Sequence, residues 1–236
     1  MTQAAIPEGL VSSVVDLVGT GPVLLGAYTI AELTVVDAIV DFLETRPPDE
    51  VLAEAVRSLA ARQLLVAGPP GENVQVRGDL GIAVAFQQRA RMVLDARITG
   101  TEPGEPWRIL LLPQPEQICL VVRIDALGVH ELGLYKLGVA LGMLGELLPR
   151  GPRAEAPPGT DPAGVLAAAE RAALVTVTRY TTEGSAETAG ASTDLVLARH
   201  DGRLYLFERN PGDPGTLIPS QRPDQDVRDI LAGLLS

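Results

Sequence analysis

One cysteine, two histidines, one lysine and 3% aromatics leave this 236-residue chain short of the side chains that most often carry chemistry. The lone Cys119 excludes an internal disulfide, and with it the staple of small oxidising-compartment scaffolds. Two histidines and one thiol argue against a His/Cys zinc centre, since structural zinc takes four such ligands. Cations are also scarce. Against 30 Asp+Glu stand 19 Lys+Arg, a net charge of −11, which disfavours binding along a phosphate backbone. No apolar run approaches the roughly 18 residues of a membrane span. The first residues have no basic n-region, and Pro7, Glu8 and Gly9 interrupt any apolar stretch, so neither a targeting segment nor membrane insertion is expected. A soluble, cytoplasmic protein is the expectation.

Catalytic signatures are missing too. There is no G-x-x-x-x-G-K-[ST], no G-x-S-x-G and no H-E-x-x-H. Lys136, the single lysine, lies in LYKLG, far from any glycine-rich loop. His130 is read at a helix start beside Glu131, and His200 before the Asp201-Gly202 turn, both without a nucleophile to serve. Cys119 sits in ICLVV, where a thiol acts as a small buried hydrophobe. No catalytic residue, metal ligand or cofactor site is assigned, and no enzyme activity is expected.

What is present is a core. Hydrophobic residues make up 46% of the chain, charged ones 21%, and mean hydropathy is +0.20, enough for one large domain or two small ones. All basic residues but Lys136 are arginine, a bias of GC-rich genomes. The periodicities predict a helix over 29–44, opened by the Thr29/Glu32 capping box, a second over 49–63 and a third over 79–89. A short apolar hairpin, 64–66 with 74–76, stands between the last two. Helix, helix and hairpin outline a winged helix, although the second helix sets only Arg57 and Arg62 against Glu50 and Glu54. Strands are expected at 92–98, 107–112 and 117–124, then a helix over 130–148 and a connector over 149–162. Beyond it come a helix at 163–173, a strand at 174–181, a loop at 183–192, a hairpin of 195–199 with 203–207 around Asp201-Gly202, a loop at 211–223 and a final helix at 224–235.

The two hairpins align without a gap. Leu195 follows Ile109 by 86 positions, Leu204 follows Ile118 by 86, and Ile230 follows Leu144 by 86. One compact α+β domain is therefore expected, built of two quasi-repeated halves (about 1–150 and 151–236) in pseudo-twofold relation, with a central antiparallel sheet flanked by helices and a winged-helix-like N-terminal part.

AEAVRSLAARQLL, GDLGIAVAFQQRARMVLDARI, the Leu147-Leu148-Pro149 helix ending and Gly202-Arg203-Leu204-Tyr205 together resemble the EspG family, the cytosolic chaperones of type VII secretion in mycobacteria and related actinobacteria. The resemblance covers nearly the whole chain, through pattern, and the chain is shorter than expected of the family. It implies a chaperone-like protein that shields the hydrophobic tip of a helical, PE/PPE-like client before export, with no nucleic-acid partner. Tyr205, Phe207, Val227, Ile230 and Leu231 are the partner-binding candidates it suggests, in a groove between the sheet and the last helix; each is equally suited to core packing. A homodimer is left open. The alternative from another class is a winged-helix regulator whose C-terminal part senses a ligand or dimerises.

Overall fold

In a computed structural model the described residues are 8–38, 46–68, 74–154, 160–183, 186–220 and 226–235. They run α1 (Glu8–Thr20), β1 (Val23–Thr29), α2 (Ile30–Val35), α3 (Asp49–Ala61), β2 (Leu65–Val66), β3 (Gln75–Val76), α4 (Gly78–Arg89), β4 (Met92–Thr99), β5 (Arg108–Pro113), β6 (Ile118–Ile124) and β7 (Val129–Lys136). Then follow α5 (Leu137–Leu147), α6 (Pro162–Ala167), β8 (Arg171–Glu183), β9 (Ala186–His200), β10 (Arg203–Asn210), β11 (Asp213–Pro219) and α7 (Val227–Leu234). The fold is α+β, and its strand ladders are antiparallel. Two compact units divide it: Met1–Ala90 with Gln114–Leu137, and Arg91–Pro113 with Gly138–Ser236. The expected halves follow element order, whereas compactness divides the chain so that it crosses between units three times.

In the first unit, β1, β7 and β6 lie side by side in that order. The chain turns into β6 through Gln114, whose amide donates to the Ile118 carbonyl, and whose side-chain amide donates to the Phe86 carbonyl of α4. The Thr29/Glu32 capping box is formed as expected, with Thr29 N donating to Glu32 Oε2 at 2.9 Å and Glu32 N to Thr29 Oγ1 at 3.2 Å. Glu32 does more than cap. Buried at 5% exposure, it also accepts from Ser58 Oγ at 2.7 Å and pairs with Arg62 at 3.2 Å, tying α2 to α3. Arg62 reaches over the Tyr28 ring, and burial, partly opposed by this guanidinium, raises the Tyr28 hydroxyl above its ordinary pKa of 10.0.

Both helices close alike. Asp37 (φ 55°) follows α2, with Ala38 N donating to Leu33 O and Asp37 N to Thr34 O; Gln63 (φ 59°) follows α3, with Leu64 N donating to Leu59 O and Gln63 N to Ala60 O. These are Schellman closures with a left-handed non-glycine residue. The first ends α2 at Val35 and so corrects the expected helix over 29–44, whose residues 39–44 lie outside the described ones. The expected helix over 49–63 is present as α3, and Glu50, Glu54 and Arg57 line its exposed side.

The helix expected from His130 to Leu148 is also corrected. Residues 129–136 form β7, paired with β6 from Ile118↔Lys136 to Ile124↔His130. Asp125 makes the turn, its Oδ1 accepting from Leu127 N and Val129 N at 2.9 Å each, with Gly128 at φ 75°. Only from Leu137 does a helix begin.

In the second unit the strand order is β5-β4-β8-β9-β10-β11. The loop expected at 183–192 is mostly strand: β8 and β9 form a ladder that starts at Arg171↔Arg199 and reaches Glu183↔Ala186. The loop expected at 211–223 contains β11, paired with β10 through Phe207↔Pro219 and Arg209↔Leu217. The helix expected at 163–173 is the shorter α6, capped by Asp161 on the amides of Ala163 and Gly164, because residues from Arg171 onward join the sheet. The last helix, expected over 224–235, is present as α7, with Asp226 as cap accepting from Arg228 N at 2.7 Å; residues 224 and 225 lie outside the described ones.

One face of this sheet is aliphatic (Leu94, Ala96, Val175, Val177, Leu195 and Leu197) and almost wholly buried. Two arginines of β8 hold helix ends beside it. Arg171 donates from Nε and Nη2 to the Leu147 carbonyl at the end of α5, at 3.0 and 2.7 Å, and Arg179 Nη2 donates to the Leu234 carbonyl of α7 at 3.1 Å. Arg228 of α7 lies over Gly142 of α5, where a Cβ would come 2.6 Å from its Nη2.

Candidate functional site

Alternation in the second unit sends the other residues of each strand to the opposite face. The registers align Asp95, Thr176 and Asp194 in one row across β4, β8 and β9, and Arg97, Leu174 and Val196 in the next. The first row carries two charge-assisted clusters. Arg108 donates to Asp95 from Nε at 2.9 Å and Nη2 at 2.8 Å, Thr176 Oγ1 donates to Asp194 Oδ1 at 2.8 Å, and Arg209 donates from Nε and Nη2 to Asp194 Oδ2. Asp194 is only 6% exposed, so a buried carboxylate is matched by a guanidinium on the neighbouring strand, as burial of a charge requires.

The second row is apolar and open. Leu174, Val196 and Leu217, with Leu166 of α6 and Ala172, line a hollow of about 420 Å3, and Arg97, Asp194 and Arg209 stand at its margin. Leu174 is 37% exposed, unusual for a leucine in the middle of a sheet. Asp194 pairs with Arg209, and Asp95 is shared between Arg97 and Arg108, so the rim is polar and its charges are partnered. This is the form of a surface that receives apolar side chains, an unpolar centre within a hydrogen-bonded border.

The five partner candidates divide by burial. Phe207, Ile230 and Leu231 are at most 1% exposed and pack in the core, while Tyr205 and Val227 are half-buried. Tyr205 stacks on Phe207 with ring planes 10° apart. Ile230 lines a separate hollow of about 240 Å3 with Glu208, Arg209 and Leu234, and Val227 lines one of about 470 Å3 with Arg150, Asp226 and Arg228. Neither of these two hollows gathers the five. The hollow above is lined instead by Leu174, which is exposed, with Leu217 and Leu166 half-buried beside it, and none of the three was a sequence candidate. Leu174 belongs to LVTVTRYT, where the next two residues on its side of the alternation are Thr176 and Thr178, and this polar side carried the signal.

The histidines are occupied locally. His130 is 3% exposed with Nδ1 3.0 Å from the Gly128 carbonyl, in a strand and not at a helix start; His200 Nδ1 is 3.2 Å from the Ala168 carbonyl. Cys119 is fully buried in β6. Among the described residues no helix is long and apolar enough to cross a membrane. A scan against protein-family models and a search of curated proteins find no match for this chain.

Proposed function

We propose that the chain is a cytoplasmic chaperone-like binding protein of the EspG type, which covers the hydrophobic tip of a helical, PE/PPE-like type VII secretion client before export. The hollow around Leu174 carries this reading. Enclosing an aliphatic tip there would remove apolar surface of both proteins from water, at roughly 25 cal/mol per Å2. Association costs absorb much of that gain, which leaves the moderate affinity a release step needs. The element order gives support of another kind. Helix, four strands and helix occur twice, as α4-β4-β5-β6-β7-α5 and α6-β8-β9-β10-β11-α7, and within the second unit the first strands of the two runs, β4 and β8, pair antiparallel. That arrangement suits the duplicated, pseudo-twofold unit expected of the family. The regulator alternative draws no comparable support, since Arg57 of α3 is bonded to Glu54 at 2.9 Å.

The test is native mass spectrometry of tagged wild-type and Leu174→Glu protein drawn from the cytoplasm of the source organism. A stoichiometric complex with a helical export substrate, lost in the variant while its circular dichroism is unchanged, is the expected result. Wild-type protein that carries DNA, or that captures no such substrate, overturns the reading.

A further inference from the structure

The outer strands of the two units differ in how they are guarded. β11 carries Pro214 and Pro219, which have no N–H to offer an incoming strand, and Gly215 between them. β1, VLLGAYT, has no proline and no charge, within a chain of net charge −11. Among the described residues its ladder is with β7 alone. The Asp125–Val129 pairing points Val129 toward β6, so by antiparallel alternation His130, Leu132 and Leu134 face β1. Their partners Tyr28, Gly26 and Val23 spend their backbone groups inward. Leu24 and Ala27 are left facing out, brought to the same side by the bulge between Leu24 and Gly26, where Gly26 takes φ 105°.

The side chains of these two residues are also uncovered. Leu24 is 72% exposed, and with Ala27, Val121, Leu132 and Tyr135 it lines a hollow of about 340 Å3 beside the open edge. The charged residues lining that hollow, Arg123 and Glu131, pair with each other at 3.3 Å.

We infer that β1 is a self-association edge: two copies of this chain pair β1 with β1 antiparallel about a twofold axis, Leu24 of each opposite Ala27 of the other. The occupant is a second copy because the strand is complementary to itself. Leu24 and Ala27 exchange N–H and C=O in both directions, no like charges meet along the strand, and the apolar hollows of the two copies become neighbours. Such an isologous contact closes at two copies and leaves no open edge at β1. It is independent of the client reading, since β1 belongs to a different unit from the hollow at Leu174.

The experiment combines sedimentation velocity over a concentration series with amide hydrogen exchange on the full chain. Wild type is expected to dimerise with rising concentration, with the amides of Leu24 and Ala27 gaining protection in step. Leu24→Lys and Ala27→Lys should each weaken the dimer about ten-fold or more while near-ultraviolet circular dichroism stays that of wild type, since both positions are exposed. A wild type that stays monomeric, a dimer in which those amides remain unprotected, or lysine variants that dimerise like wild type each overturn the proposal. So does protection that arises only when another protein is added. Should a variant fail to fold, the wild-type exchange pattern alone decides.

Discussion

Asp95 and Arg108 form a two-pronged pair across β4 and β5, Nε to Oδ1 at 2.9 Å and Nη2 to Oδ2 at 2.8 Å, with side chains 13% and 7% exposed. Removing one partner strands the other charge in a poorly hydrated place. Asp95→Ala should therefore cost about 3–5 kcal/mol of stability, read from the denaturant midpoint at neutral pH. The double replacement Asp95→Leu with Arg108→Met should cost much less, because it leaves no buried charge without its partner; Arg97, which also pairs with Asp95, is 45% exposed. A single variant as stable as wild type would show that water reaches Arg108.

Gln63 predicts a gain. Its left-handed backbone is strained for a residue with a Cβ, and glycine removes that strain at a helix end. Gln63→Gly should raise stability by up to about 1 kcal/mol, visible as a higher thermal midpoint. A loss would mean that the Gln63 side chain contributes packing or hydrogen bonding that outweighs the strain.

The Glu32 cluster predicts a loss that exceeds an ordinary cap. Thr29→Ala should cost about 1 kcal/mol. Glu32→Ala should cost clearly more, since Glu32 also holds Ser58 and Arg62 of the α3 end. Equal costs would show that the α2–α3 tie carries no net stability.

Acid should weaken the protein through Glu105 and Glu116, both held below their ordinary value of 4.5. For Glu105 the causes are the Glu102 amide and then Arg171; for Glu116 burial works against ionisation, and Arg89 together with the Glu116 amide outweighs it. A carboxyl with a lowered folded pKa contributes stability above the unfolded value and loses it as pH falls through the folded one. Stability should decline below pH 4.5, and Glu116→Gln should flatten that decline. Denaturant midpoints across a pH series check this; a Glu116→Gln profile parallel to wild type would contradict it.

Elements with a chemical end-signal were legible. Thr29 with Glu32 announced a helix start and Asp201-Gly202 a tight turn, whereas the Asp161 cap was read as part of a connector. Misreadings came where two periods competed. In VHELGLYKLGVALGMLGELL, leucines and glycines satisfy helical spacing throughout, yet the first eight residues also alternate, and pairing with β6 decides for strand. In 183–192, small polar residues look like a loop until the opposing strand supplies hydrogen bonds, which is information from outside the segment. The candidate site was hidden for a similar reason. Tyr205, Phe207 and the α7 residues are the bulky choices, but bulk draws residues into the core, whereas Leu174 is defined by what fails to cover it.

Arg171 and Arg179 sit eight residues apart on one strand, and each reaches the final carbonyl region of a different helix. A slip of β8 by one position would turn both guanidiniums to the opposite face together, releasing α5 and α7 in the same step. Two helix ends distant in sequence thereby act as a proofreader of strand alignment, rejecting a misregistered sheet that the repetitive Val and Thr of β8 would otherwise tolerate.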